Sequence, residues 1–240
     1  MKLSKISLMH IYKLISRSVL FLVALALYIA SRIHGANGIF FGYEQNNIVL
    51  FVIWFAFLVE MVLRFFPSPT ESMGCQKQFR RNYIPADASP TPHNGVFAVI
   101  LSWVILNGII AALYYTDVID SGILLLIALF YSVCDMICIL FYCPFQTLMM
   151  KNKCCTTCRI YNWDYAMMFT PLLFVRNFYA ITLVLAALLL LIRWEVTALK
   201  FPERFQESQN ENLHCKNCKE KLCHHKTQLQ IFLKKRKGLH

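Results

Sequence analysis

Charge is what this chain has least of. Asp, Glu, Lys and Arg make up 15% of its 240 residues, against about 25% in an ordinary soluble domain. Acidic residues are the scarcer kind: 13 Asp and Glu face 24 Lys and Arg, for a net charge of +11. So little polar surface cannot cover a globule of this size, which argues against a soluble domain. Glycine and proline number eight each, too few for a collagen-like or low-complexity chain. The sequence has no Gly-rich phosphate loop, no His-Glu-x-x-His and no Ser elbow. Those patterns would announce nucleotide, zinc-protease or serine-hydrolase chemistry, and no catalytic residue is read from the chain. No repeat of 20–50 residues is visible.

Hydrocarbon is what the chain has most of. Hydrophobic residues reach 58%, Phe alone numbers 19, and mean hydropathy is +0.50. The expected fold class is an all-α, polytopic membrane helix bundle. A bilayer core needs about 20 mostly apolar residues per helix. Five runs serve: Ser18 to Ile33, Ile48 to Phe66, Val96 to Tyr115, Gly122 to Tyr142, and Leu172 to Trp194. The last is preceded by a shorter helix from Tyr161 that breaks at Pro171. This divides the chain into a basic leader (1–17), a five-span domain (18–194) with a Cys-rich loop (143–168), and a polar, basic tail (195–240). The leader is read as retained and able to lie along the membrane interface.

The basic residues lie between and outside the apolar runs, where they orient helices and meet anionic lipid; the bilayer is therefore the expected partner, and nucleic acid is not. Lys2, Lys5, Lys13 and Arg17 precede the first run. Arg64, Lys77, Arg80 and Arg81 fall in the second loop, and Lys151, Lys153 and Arg159 in the Cys-rich loop. An inside N-terminus places all three groups in the cytoplasm, opposite Arg32, Asp117 and Asp120, as in a prokaryotic cytoplasmic membrane. Five spans then put the basic tail outside. Either the tail is exported against its charge, or one segment does not cross simply, and the stretch around Pro171 and Arg176 is the place for a broken helix.

Ionisable groups within spans are costly and face the bundle interior. Glu60 lies late in the second run, with Arg64 one turn on as its simplest partner. Asp135 lies within the fourth. At 100° per residue, Tyr131, Cys134, Asp135, Cys138 and Tyr142 share one face, which is either a metal or proton site or an inward packing face with Asp135 paired to Arg176. Asn107 and Gly108 read as close helix packing.

Ten cysteines fall in groups. Cys215, Cys218, Cys223, His224 and His225 in the tail resemble a zinc knuckle, with a Cys at the third place and no long final gap. Cys-x2-Cys lets two thiolates grip one tetrahedral ion. Cys155 and Cys158 form a second such pair, with Cys154 and Cys143 as further ligands; zinc is expected, and an iron–sulfur cluster is the weaker option because the bacterial ferredoxin spacing is absent. Cys155-Thr-Thr-Cys158 also resembles the Cys-x-x-Cys of membrane thiol oxidoreductases of the vitamin-K-epoxide-reductase type, which act on the oxidising side, whereas charge places this loop inside. The following stretch, Ile160 to Tyr165, reads as an aromatic belt. The leading expectation is a membrane protein with structural, anchoring or sensing metal sites. A thiol–disulfide oxidoreductase using Cys155 and Cys158 is the alternative, and a small-solute or metal-ion transporter using Asp135 is a further one.

Overall fold

The computed structural model describes residues 5–33, 48–67, 76–86, 89, 95–151 and 158–217. Their regular structure is all helical, with no strand among the described residues; one isolated bridge joins Pro85 and Asn210. The helices are α1 (Lys5–Ile33), α2 (Ile48–Leu63), α3 (Val96–Tyr115), α4 (Ser121–Leu140), the short α5 (Asp164–Phe169) and α6 (Phe178–Lys200). Four of them, α1, α3, α4 and α6, are long and apolar enough to cross a membrane. α2 is apolar but shorter.

Local chemistry sets the helix limits. Asp120 caps α4 by accepting from the Ile123 backbone N–H at 2.9 Å, which satisfies one of the open donors of the first turn. Asn177 does the same for α6 through Tyr179 N. Gly95, at φ +88°, starts α3 against the chain at Met149. A Cβ at Gly95 would collide with the Met149 carbonyl oxygen, so glycine is required both for the left-handed backbone and for the close approach.

Tertiary contacts give the direction of each passage. α1 lies antiparallel along α4: Arg17 meets Ser132 and Asp135, Phe21 meets Phe130, and Tyr28 donates to Asp120. α2 packs on α6, where Trp54 donates to Thr182 and, towards the other end, Arg193 donates to the Phe65 carbonyl. Between α4 and α6 the chain makes a further passage. It starts beside Glu195, where Arg159 and Trp163 both donate, and reaches Phe174, whose ring meets Tyr115 at the far end of α3. It consists of a 3₁₀ turn (Tyr161–Trp163), α5 and a second 3₁₀ turn (Thr170–Phe174). Its rise is about 25 Å at the usual 1.5 and 2.0 Å per residue. Pro171, which has no N–H to donate, lies in the tighter turn where the α-helix ends.

The bundle therefore has six passages. The fifth expected run divides: residues from Leu172 to Asn177 belong to the end of the broken passage, and the long helix starts at Phe178. This changes the fate of the tail. Phe205 and Leu213 are buried, and Trp194 stacks edge-on with both Phe79 and Phe205. Ala86 N donates to Gln209 O at 3.0 Å and Glu211 N to Ile84 O at 2.9 Å. The start of the tail thus folds onto the second loop, at the same end as the N-terminal half of α1. The leader is also corrected. From Lys5 it is continuous with the first span in one 29-residue helix, about 43 Å long at 1.5 Å per residue, rather than a separate interfacial element.

Candidate functional site

The polar residues of the bundle gather towards the end that carries the tail. Arg17 is 2% exposed, and its guanidinium reaches two helices at once. Nη2 donates to Glu60 Oε2 at 2.8 Å; Nη1 donates to Asp135 Oδ2 and to the Ser132 carbonyl, both at 3.1 Å. Lys13 lies 3.7 Å from Glu60. Arg64 Nη1 lies 2.7 Å from Asp164 Oδ2. Tyr165 sits between the two arginines, with its ring 5.9 Å from Arg17 and 4.7 Å from Arg64, and its hydroxyl donates to Glu60 Oε2 at 2.7 Å. Three cations and three carboxylates thus balance across α1, α2, α4 and α5. In a low-dielectric interior only such pairing tolerates full charges.

Two sequence expectations are corrected here. Glu60 and Arg64 take long-range partners, Arg17 of α1 and Asp164 of α5. Asp135 pairs with Arg17, while Arg176 is exposed at the opposite end of the bundle. Arg17 read as part of a surface leader because it stands just before an apolar run. Asp164 and Tyr165 read as part of an interfacial belt, but Tyr165 is 1% exposed. Trp163, from the same stretch, donates to Glu195, as does Arg159 before it. His10 is a further buried group, with neither ring nitrogen hydrogen-bonded among the described residues. Gly108 faces open space rather than a packed helix, whereas Asn107 is buried and donates back to Trp103 O.

Four residues of the expected polar face of the fourth run line a cavity of about 130 Å³, while Tyr142, past the helix end at Leu140, is exposed outside it. Tyr131, Cys134, Asp135 and Cys138 come from α4, and Cys143, Cys158 and Asp164 join them from the segments that follow. Cys143 Sγ accepts from Gln146 N at 3.4 Å, and Cys158 is buried. The cavity thus unites Cys134, Cys138, Cys143, Cys158 and Asp135 of the sequence-predicted set. Among the described residues, no three His, Cys, Asp or Glu side chains close on one metal position. Cys215 begins a short turn on the tail. Cys154, Cys155, Cys218, Cys223, His224 and His225 lie outside the described residues.

The end of the bundle is closed by a polar cap that the sequence did not announce. Asn162 Nδ2 donates to Gln78 Oε1 at 2.5 Å. Asn210, fully buried, donates to the carbonyls of Lys77 and Arg204 at 3.1 and 2.9 Å. Asn212 donates to Asn82 O. Lys77 is 4% exposed, and its Nζ has no partner among the described residues. Comparisons with protein-family models, curated proteins and solved structures returned no match.

Proposed function

We propose that the chain is an integral protein of a prokaryotic cytoplasmic membrane whose cytoplasmic end carries one composite cysteine-ligated zinc centre, structural or sensing rather than catalytic. The observation that carries this reading is the meeting of the segments that bear Cys158 and Cys215 in one cap. Asn162, four residues after Cys158, donates to Gln78, and Asn212, three residues before Cys215, donates to Asn82. Cys154 and Cys155 precede Cys158 by four and three residues in the sequence, and Cys218 follows Cys215 by three. Four thiolates around Zn²⁺ carry two net negative charges, and the buried Lys77 ammonium is a fitting counter-charge.

Charge supports the orientation. Lys13, Lys77, Arg159, Arg204 and Lys216 lie at the cap end, against Arg32, Arg176, Asp117 and Asp120 at the other. A six-passage bundle keeps both the leader and the basic tail inside, as the positive-inside rule asks, next to anionic lipid. Transport through Asp135 has less support, because that carboxylate is held by Arg17.

The test is metal analysis with an absorption spectrum on anaerobically purified protein. A composite centre predicts that Cys158→Ser and Cys215→Ser each remove the same zinc ion, and that Lys77→Met weakens its retention. Separate losses from the two variants would replace one centre with two. Brown, sulfide-containing protein would point to an iron–sulfur cluster. Metal-free protein with titratable dithiols would reject the centre in favour of thiol–disulfide chemistry at Cys155 and Cys158.

A further inference from the structure

Beside the polar cavity lies a second one of about 180 Å³, lined by α3, α5 and α6 with side chains that are almost wholly apolar. Trp103 and Met167 form the wall common to both. Trp103 is fixed by donating to Thr170 Oγ1 at 3.2 Å and by its ring contact with Tyr131 at 4.9 Å. Met167 is unbranched and adaptable. The apolar cavity has its mouth on the hydrocarbon-facing surface, where Val104 and Leu173 are more than half exposed. The two cavities thus adjoin through these two side chains, one opening on that surface and the other lined by Asp135 and Asp164 of the charged cluster.

The polar cavity is lined by an acceptor left unmet among the described residues. The Asp164 side chain is 7% exposed, its Oδ2 faces Arg64, and its Oδ1 is buried without a hydrogen-bond partner among the described residues. A buried acceptor left unmet costs about 1–3 kcal/mol, so a donor arriving there is favoured. The surrounding charges already cancel, three against three. A cation entering would unbalance them, while a neutral hydroxyl would not.

We propose that this bipartite cavity binds a neutral, lipid-phase alcohol. Its apolar chain lies between α3 and α6, and its hydroxyl donates to Asp164 Oδ1. Trp103 and Met167 form the neck between head and tail. The apolar half of the site holds no proposed zinc ligand, while the polar half shares Cys158 with the metal centre.

The experiment uses the full chain in lipid nanodiscs and tryptophan fluorescence, because Trp103 and Trp163 both line the apolar cavity. The probes are 10-bromodecan-1-ol and its methyl ether, which has the same chain and bromine but no donor. The alcohol is expected to quench saturably, to be displaced by unbrominated decanol, and to reach half-saturation at a concentration at least tenfold below that of the ether. Val104→Phe, which narrows the exposed mouth without touching the ion pairs, is expected to remove the saturable component. Equal quenching by alcohol and ether, or saturable quenching unchanged in Val104→Phe, would overturn the proposal.

Discussion

Replacing Arg17 by Met tests the charged cluster most directly. Arg17 is 98% buried by its exposure of 2%, and it makes three hydrogen bonds, two of them to carboxylates on different helices. Removing one partner of a buried ion pair costs about 3–5 kcal/mol, because a charge is left without compensation. Here one cation serves two carboxylates. Lys13, at 3.7 Å from Glu60, offsets part of the loss there, so the larger share falls on Asp135, whose side chain is 18% exposed. The expected loss for Arg17→Met is about 4 kcal/mol, near a thousandfold in the folded-to-unfolded ratio. The triple change Arg17→Met, Glu60→Gln, Asp135→Asn removes all three charges together and is expected to recover most of that loss, since neutral groups can replace a buried ionic cluster. Arg17→Lys should fall between, as a lysine cannot fork between two carboxylates. The assay is equilibrium unfolding by SDS in mixed micelles, followed by tryptophan fluorescence. A loss below about 1 kcal/mol for the single change, or a triple variant no more stable than the single one, would refute the view that Arg17 compensates two buried acids.

Three smaller perturbations probe other parts of the fold. Gly95→Ala should destabilise by more than about 1–2 kcal/mol, since it adds a collision with Met149 to the left-handed backbone penalty, whereas Gly108→Ala should be neutral or stabilising by up to about 1 kcal/mol; thermal melts of the two would disagree with this account if their order were reversed. Asp120→Ala loses the α4 cap and the Tyr28 hydrogen bond, an expected cost of about 1–2 kcal/mol, measurable as faster amide exchange in the first turn of α4; unchanged exchange there would count against the cap. His10→Leu replaces a buried imidazole with neither nitrogen bonded among the described residues and should raise the melting temperature, because an unmet polar group costs about 1–3 kcal/mol. A lowered melting temperature would mean that the imidazole has a partner in solution.

Much of this was legible in the residues alone, and for definable reasons. Val96–Tyr115 is a helix with the expected bounds, long and apolar enough to cross a membrane, because an uninterrupted apolar run of that length has only one low-energy form in hydrocarbon. The face of Tyr131, Cys134, Asp135 and Cys138 follows from helical periodicity, and the cavity uses it. The break at Pro171 follows from a missing N–H. These are local properties, fixed by neighbours within one or two turns.

Partners across the bundle are not local. Nothing in the order of residues says that Arg17, rather than Arg176, reaches Asp135, or that Asp164 meets Arg64 rather than water. Both outcomes follow from the direction of the broken passage, which brings Asp164 and Tyr165 beneath α1 and α2. That same passage returns the tail to the leader's end, which charge counting over five runs had set in conflict. The sequence by itself determined a helical bundle of membrane-spanning length, the segregation of its charges and the face of its fourth span. The tertiary structure decided which charges neutralise one another and where the tail lies, because a buried ion selects its partner by distance across packed helices, a quantity that periodicity along one helix does not contain.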